Sequence, residues 1–191
     1  MNSDIIRMLT ITLPDWLSER LATPIQHQSD ENRMQFVIDL ARENIARGTG
    51  GPFAAAVFRS NDGILVAAGV NSVTRLNNAV LHAEVMALMF AQASVGSYTL
   101  RAADASYELV TSCEPCAMCL GATLWSGVQR LVCGATRDDA ECVGFDEGPV
   151  FPESYAYLER RGITVVRQVL RVEAVDVLDQ YMRGGGIVYN G

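Results

Sequence analysis

This 191-residue sequence predicts an α/β fold built on a mixed sheet. Two observations carry that expectation. Two short apolar runs come early in the chain and are joined by a tight turn, and the remainder alternates helical with strand-like segments. A hairpin pairs its strands antiparallel, whereas strands joined through helices run parallel, so one sheet holding both kinds is mixed. The length suits a single domain with a substantial core. A hydrophobic fraction of 49% against 19% charged residues fits a compact globular chain.

Residues 1–29 hold Pro14 and Pro24 and read as an irregular N-terminal extension with one short helix, leaving 30–191 as the single domain. Asp30 is placed to cap a helix from Glu31 to about Ala46, with Met34, Val37, Ile38, Ala41 and Ile45 on one face. Arg47-Gly48-Thr49-Gly50-Gly51-Pro52 ends it. Phe53 to Phe58 is a first strand, Ser60-Asn61-Asp62-Gly63 a turn, and Ile64 to Val70 its hairpin partner. Helix is expected from about Leu81 to Gln92, strand over Tyr107–Thr111, helix from Cys116 to about Trp125 with Pro115 leading in, and strand over Arg130–Gly134. Ile163–Leu170 reads as a last strand and Val172 to about Met182 as a last helix.

Composition narrows the function. The formal net charge is −7, and the nearest approach to a basic stripe is Glu159-Arg160-Arg161 with Arg167 and Arg171 farther on, which reads as a solvated face. Proteins that grip a phosphate backbone carry more positive charge than this, so no nucleic-acid partner is expected. No apolar stretch reaches the roughly 20 residues that span a bilayer. Met1 to Trp16 contains acidic residues and Pro14, and no secretory leader is expected there. The five cysteines are odd in number and lack a disulfide-scaffold spacing, which fits reduced thiols and a cytoplasmic location. Cys113, Cys133 and Cys142 read as small buried side chains, and His27 as a surface residue.

The chemistry lies in two short motifs, His82-Ala83-Glu84 and Pro115-Cys116-Ala117-Met118-Cys119. One imidazole and two thiolates hold a zinc ion tetrahedrally and leave its fourth position to water. Glu84, two residues past the histidine, is placed to move protons beside that water rather than to bind the metal. Either half alone is weak, but H-x-E followed by P-C-x-x-C is the signature of zinc deaminases. Helix N-termini beneath both motifs favour anionic thiolates. Cys113-x2-Cys116-x2-Cys119 also invites an iron–sulfur reading, but the fourth ligand would fall at Thr123 and no Cys-Pro follows. A purely structural zinc would normally be closed by four protein ligands, and three are found.

These motifs resemble the cytidine deaminase superfamily, with a likeness of elements over most of residues 33–183. Within it the chain is most similar to the guanine deaminase branch. That narrower likeness rests on Gly51-Pro52-Phe53, on Asn71 upstream of His82, on Leu120-Gly121-Ala122-Thr123-Leu124-Trp125, and on Gly144-Phe145-Asp146-Glu147. The resemblance implies a three-layer α/β/α sandwich with a five-stranded mixed sheet, bound Zn2+, a homodimer, and hydrolytic deamination of guanine to xanthine and ammonia. On this reading zinc brings the pKa of its water toward about 7. That water adds to the amino-bearing ring carbon, and Glu84 shuttles its proton to the ring and to the departing ammonia.

The same resemblance makes Glu147, rather than Asp146, a second active-site acid, and places Tyr189 of the C-terminal tail near a pocket, of its own subunit or of the partner subunit. Asn71 and the Ala83 backbone N–H are candidates to contact a nucleobase, with Trp125 against the purine face and Phe53 in the wall. Each has a plainer reading: a turn residue for Asn71, core for Trp125 and Phe53, a solvated loop acid for Glu147, a tail docked on its own domain for Tyr189. Rival substrates share guanine's amino group between two ring nitrogens, such as an s-triazine like ammeline, or guanosine. A tRNA-adenosine deaminase would need the basic face that is missing, and a pyrimidine deaminase fits the motifs less well.

Overall fold

The computed structural model describes residues 8–101 and 105–190. Five strands form one sheet in the order β2-β1-β3-β4-β5: β1 Ala54–Arg59, β2 Leu65–Val70, β3 Tyr107–Cys113, β4 Arg130–Ala135 and β5 Thr164–Val166. β1 pairs antiparallel with both β2 and β3, while β3, β4 and β5 run parallel. The sheet is therefore mixed, because the hairpin and the helical crossovers impose opposite pairings.

Side chains alternate between two cores, as the period of a strand requires. Ala54, Ala56 and Phe58 of β1, Val110 of β3 and Val132 of β4 face one core. There they meet helix α2 (Asp30–Ala46) and helix α8 (Arg171–Arg183). Ala55, Val57, Leu109, Leu131 and Cys133 face the other core, against helix α4 (Ala83–Val95) and the inner side of helix α5 (Ala117–Ser126). The result is three layers, helix on sheet on helix. On the second face α4 lies close to β2: a Cβ at Gly69 would come within 2.5 Å of the Ala87 backbone nitrogen. That approach is open only to glycine, and it sets the depth of the helix that carries His82 and Glu84.

Several elements differ from the sequence-based expectation, each for a physical reason. The cap of α2 is Ser29, whose hydroxyl accepts from the Asn32 N–H. Asp30 instead opens the helix and pairs with Arg130. The expected eight-residue last strand is only three residues long, because Gln168 and Leu170 take positive φ angles of 64° and 49° and turn the chain into α8. Two helices lie in the stretch left unassigned, α6 (Arg137–Cys142) and α7 (Pro152–Arg160). The first is opened by a reciprocal Thr136–Asp139 capping box and the second by Pro152 at its first turn. A short helix, α3 (Val73–Leu76), precedes α4.

Beyond its first seven residues, which lie outside the described set, the N-terminal segment is folded onto the domain. Helix α1 (Asp15–Arg20) buries Trp16 and Leu17 in the α2 core. His27 is half-buried rather than a surface residue, with its ring 5.4 Å from that of Phe36. Cys142 is exposed, unlike buried Cys113 and Cys133. At the amino ends of the parallel strands, Glu108 is fully buried between Arg33 and Arg130. Breaking such a network costs about 3–5 kcal/mol, because it strands a buried charge. Among the described residues no helix is long and apolar enough to cross a membrane.

Candidate zinc centre and active-site chamber

Two helix starts build the centre. His82 is the N-cap of α4 and Cys116 the N-cap of α5, both with extended backbone, and Cys119 lies one turn into α5. The ligand atoms of His82, Cys116 and Cys119 all lie within 4.8 Å of one another, with Cys116 Sγ 3.5 Å from His82 Nδ1. One imidazole and two thiols at that spacing fit a tetrahedral zinc, whose bonds to sulfur and nitrogen run about 2.0–2.3 Å. A hydrogen bond from Cys119, together with His82, holds the Cys116 thiol down to about 4. The Cys119 thiol is pushed up by Cys116 and by burial. Burial disfavours a charged His82, but its bond to Cys116 and the Glu84 carboxylate outweigh this and its pKa is raised.

An inner chamber of about 30 Å³ opens on this centre and is lined by Phe53, Asn71, Glu84, Phe145, Glu147 and Tyr189 among others. His82, Cys116, Glu147 and Tyr189 also border an outer cavity of about 810 Å³. Glu84 is 6% exposed in the first turn of α4, and burial, with Cys116 alongside, pushes its carboxyl up to about 7. Glu147 is 8% exposed, and burial beside Cys116 and Glu84 pushes it up to about 8. Its loop is tied to the metal helix, since the Ala117 N–H donates to the Glu147 carbonyl at 2.9 Å. Asp146 points its carboxylate back to the Gly148 N–H and is exposed.

Asn71 follows β2 and is 1% exposed. Its Oδ1 accepts from the Val73 N–H at 3.3 Å, while its Nδ2 has no partner among the described residues. The Tyr189 hydroxyl is likewise buried, with the Asn71 side chain as its polar neighbour and no full hydrogen bond among the described residues. The Tyr189 ring meets Phe145 edge-on at 5.3 Å, and Phe53 meets the same ring at 4.9 Å. A Cβ at Gly51 would come within 1.9 Å of the Tyr189 hydroxyl, so glycine there is what lets the tail in. Ala83 is buried as the first residue of α4, where backbone N–H groups have no intrahelical acceptor.

Trp125 is a correction. It borders neither the inner chamber nor the outer cavity, nor is it core, and it stands 75% exposed. The buried stripe of α5 is Cys119, Thr123 and Ser126, and at roughly 100° per residue Trp125 sits about 120° around the helix from Cys119. Asn44 was missed in the sequence. It is fully buried on α2, and its Nδ2 donates to the carbonyls of Gly51 (2.9 Å) and Asn71 (3.1 Å), fixing both chamber segments. A polar residue beside the apolar stripe of a helix was its only signal.

Fold and centre together are those of a zinc-binding deaminase. The profile described as the cytidine and deoxycytidylate deaminase zinc-binding region matches residues 27–135, more than half of the chain, and the chain belongs to that family. It is 38% identical over 133 residues to the guanine deaminase of Bacillus subtilis, covering 70% of this chain and 81% of that one. It is also similar to a solved guanine deaminase from Nitrosomonas europaea, with 46% identity, a TM-score of 0.89, and 93% of this chain and 97% of that chain covered. A further solved structure, in complex with 2,6-diaminopurine, matches at 46% identity and a TM-score of 0.90 over 95% of this chain and 96% of that one.

Proposed function

We propose that the protein hydrolytically deaminates guanine to xanthine and ammonia. One observation carries this beyond the family: two buried carboxyls, Glu84 and Glu147, share a chamber with the His82–Cys116–Cys119 cluster and with two unpartnered polar groups, Asn71 Nδ2 and Tyr189 Oη. The similarity to guanine deaminases and to a protein that binds 2,6-diaminopurine, a purine with an amino group at the same ring carbon, points the same way.

His82, Cys116 and Cys119 would hold the zinc, which when bound lowers the pKa of its water to about 7 and polarises the reacting centre. Glu84 takes a proton on its carboxylate and delivers it to the ring nitrogen beside the amino-bearing carbon, then helps protonate the departing ammonia. A single carboxyl within hydrogen-bond reach of both water and ring can serve both directions of that transfer. Glu147 accepts from the ring N–H and the amino group. Asn71 donates from Nδ2 to a ring acceptor, as the Ala83 N–H is placed to do. Phe53 and Tyr189 close the walls and keep bulk water from the reacting atoms.

An ammonia-release assay on guanine, adenine, cytosine, cytidine, guanosine and ammeline, with and without a chelator, tests this reading. Guanine should lead the panel and chelator should abolish release. Preference for ammeline or guanosine would reassign the substrate while keeping the chemistry. We also propose that the protein is a cytoplasmic homodimer without a nucleic-acid partner. The free cysteines support the location. The groove between α5 and α7, lined by Leu120, Leu124 and the exposed Tyr157, supports the dimer. Sedimentation should return twice the 20.8 kDa chain mass.

A further inference from the structure

A separate cavity, of about 340 Å³, is lined by Arg167 and Gln168 just past β5, and Glu114 lines both it and the inner chamber. Glu114 stands between Cys113, the last residue of β3, and Pro115, which leads into Cys116 and α5. It is 3% exposed, and the mechanism above gives it no task. Its polar contacts run to the far side of the connector, away from the metal cluster. Its Oε1 accepts from Arg167 Nε, its Oε2 accepts from the Arg137 N–H at 3.2 Å, and its own N–H donates to the Ala135 carbonyl at 2.9 Å. Arg167 is held in turn by Tyr155 of α7, whose ring lies 4.8 Å beneath the guanidinium. Arg167 and Tyr155 both lie beyond residue 135, where the match to the shared family region ends.

The connector matters because the three ligands come from two helices. His82 is fixed by α4, while Cys116 and Cys119 both ride on α5. Only Glu114 and Pro115 lie between the rigid end of β3 and Cys116, and Pro115 has no N–H with which to anchor the turn. A rotation at Glu114 would carry both thiols away from His82 together. The side-chain grip on Glu114 therefore joins the backbone bonds of Glu114 to Ala135 and of Ala117 to Glu147 in keeping the cysteine pair facing the histidine.

We infer that the Glu114–Arg167 pair is a brace that sets zinc retention, with Glu114 a positioning residue that contributes no ligand. This rests on the zinc centre assigned above, and not on guanine as substrate. Residues that orient metal ligands typically change metal affinity by about 10–100-fold when removed, and the brace belongs at the lower end because it acts through backbone.

The test is zinc release from the fully loaded protein to a chromogenic chelator, at a temperature well below unfolding, with thermal stability measured on the same samples. Arg167→Ala and Glu114→Gln should release zinc on the order of 10-fold faster than the parent, and Arg167→Lys should recover part of that loss. Arg171→Ala is the control: Arg171 lines the same cavity but pairs with Asp139, so its release rate should match the parent. Arg167 is partly exposed, so Arg167→Ala carries the test if Glu114→Gln fails to fold. Parental release from folded Arg167→Ala would overturn the brace. So would equal acceleration in Arg171→Ala, which would make the effect one of general loosening. A parent protein that purifies without zinc would instead refute the metal centre itself.

Discussion

Glu84 and Glu147 are both held up by burial, to about 7 and about 8, and both sit against the Cys116 thiol. A bound zinc ion adds positive charge at that point, which favours the ionised carboxyls and draws both values down. The two acids therefore differ by position rather than by charge state: Glu84 is in the first turn of the histidine helix, whereas Glu147 is on a loop bonded to the cysteine helix. Glu147→Gln should lower kcat on guanine by about 10²-fold or more with zinc content unchanged, the scale of a lost acid–base contribution; steady-state rates with elemental analysis check this, and parental kcat would exclude a chemical task for Glu147. At this scale the His82, Cys116 and Cys119 cluster was legible because a metal imposes a spacing on the chain. Trp125 was misplaced because a bulky aromatic at a helix end says nothing about which side of the helix it occupies. Asn44 was overlooked because its work, holding Gly51 and Asn71, is visible only once two distant loops meet it.

The tail following α8 brings Tyr189 to the wall of both the inner chamber and the outer cavity. Gly185 takes a φ of 75°, the Gly186 N–H donates to the Tyr181 carbonyl at 2.9 Å, and the contacts that follow are made by side chains. The Tyr181 hydroxyl donates to the Ile187 carbonyl, Tyr189 packs on Phe145, and Asn190 bonds both to the Asp146 N–H and to the Gly144 carbonyl, each at 2.9 Å. The last two contacts fall on the loop that carries Glu147. Truncation after Gly186 should raise KM and lower kcat on guanine, each by roughly 10-fold, since a wall of the chamber and a support of its second acid go together; unchanged constants would show the tail to be a bystander. The long elements were readable from their periodicity. Helices α6 and α7 were not, being too short to show one, although Thr136-x-x-Asp139 and Pro152 were start signals in plain view.

Across the whole molecule, an acidic chain of net charge −7 keeps several carboxylates clamped by arginines. A hydrogen bond from Arg171 holds the Asp139 carboxyl well below the usual range, and one from Arg130 lowers Asp30. A carboxyl depressed in the folded state stabilises it above the unfolded pKa of about 3.9, and that stability is lost as pH falls through the folded value. Melting temperature should accordingly drop between about pH 4 and pH 2, and drop less in Asp139→Asn than in the parent; equal slopes in the two would exclude this pair as a source of acid sensitivity. The mixed sheet was foreseeable from the order of hairpin and crossovers, and its strand order brings the starts of α4 and α5 together, so fold and centre were read from the same facts. The account stands on one reaction at that junction. Its most direct test is conversion of guanine to xanthine, followed by absorbance, in the parent and in Glu84→Gln, with zinc measured in both. The parent should convert guanine and Glu84→Gln should keep its zinc while losing at least about 10²-fold in kcat; a zinc-loaded Glu84→Gln that turns over at the parental rate, or a zinc-loaded parent inert toward guanine, would contradict it.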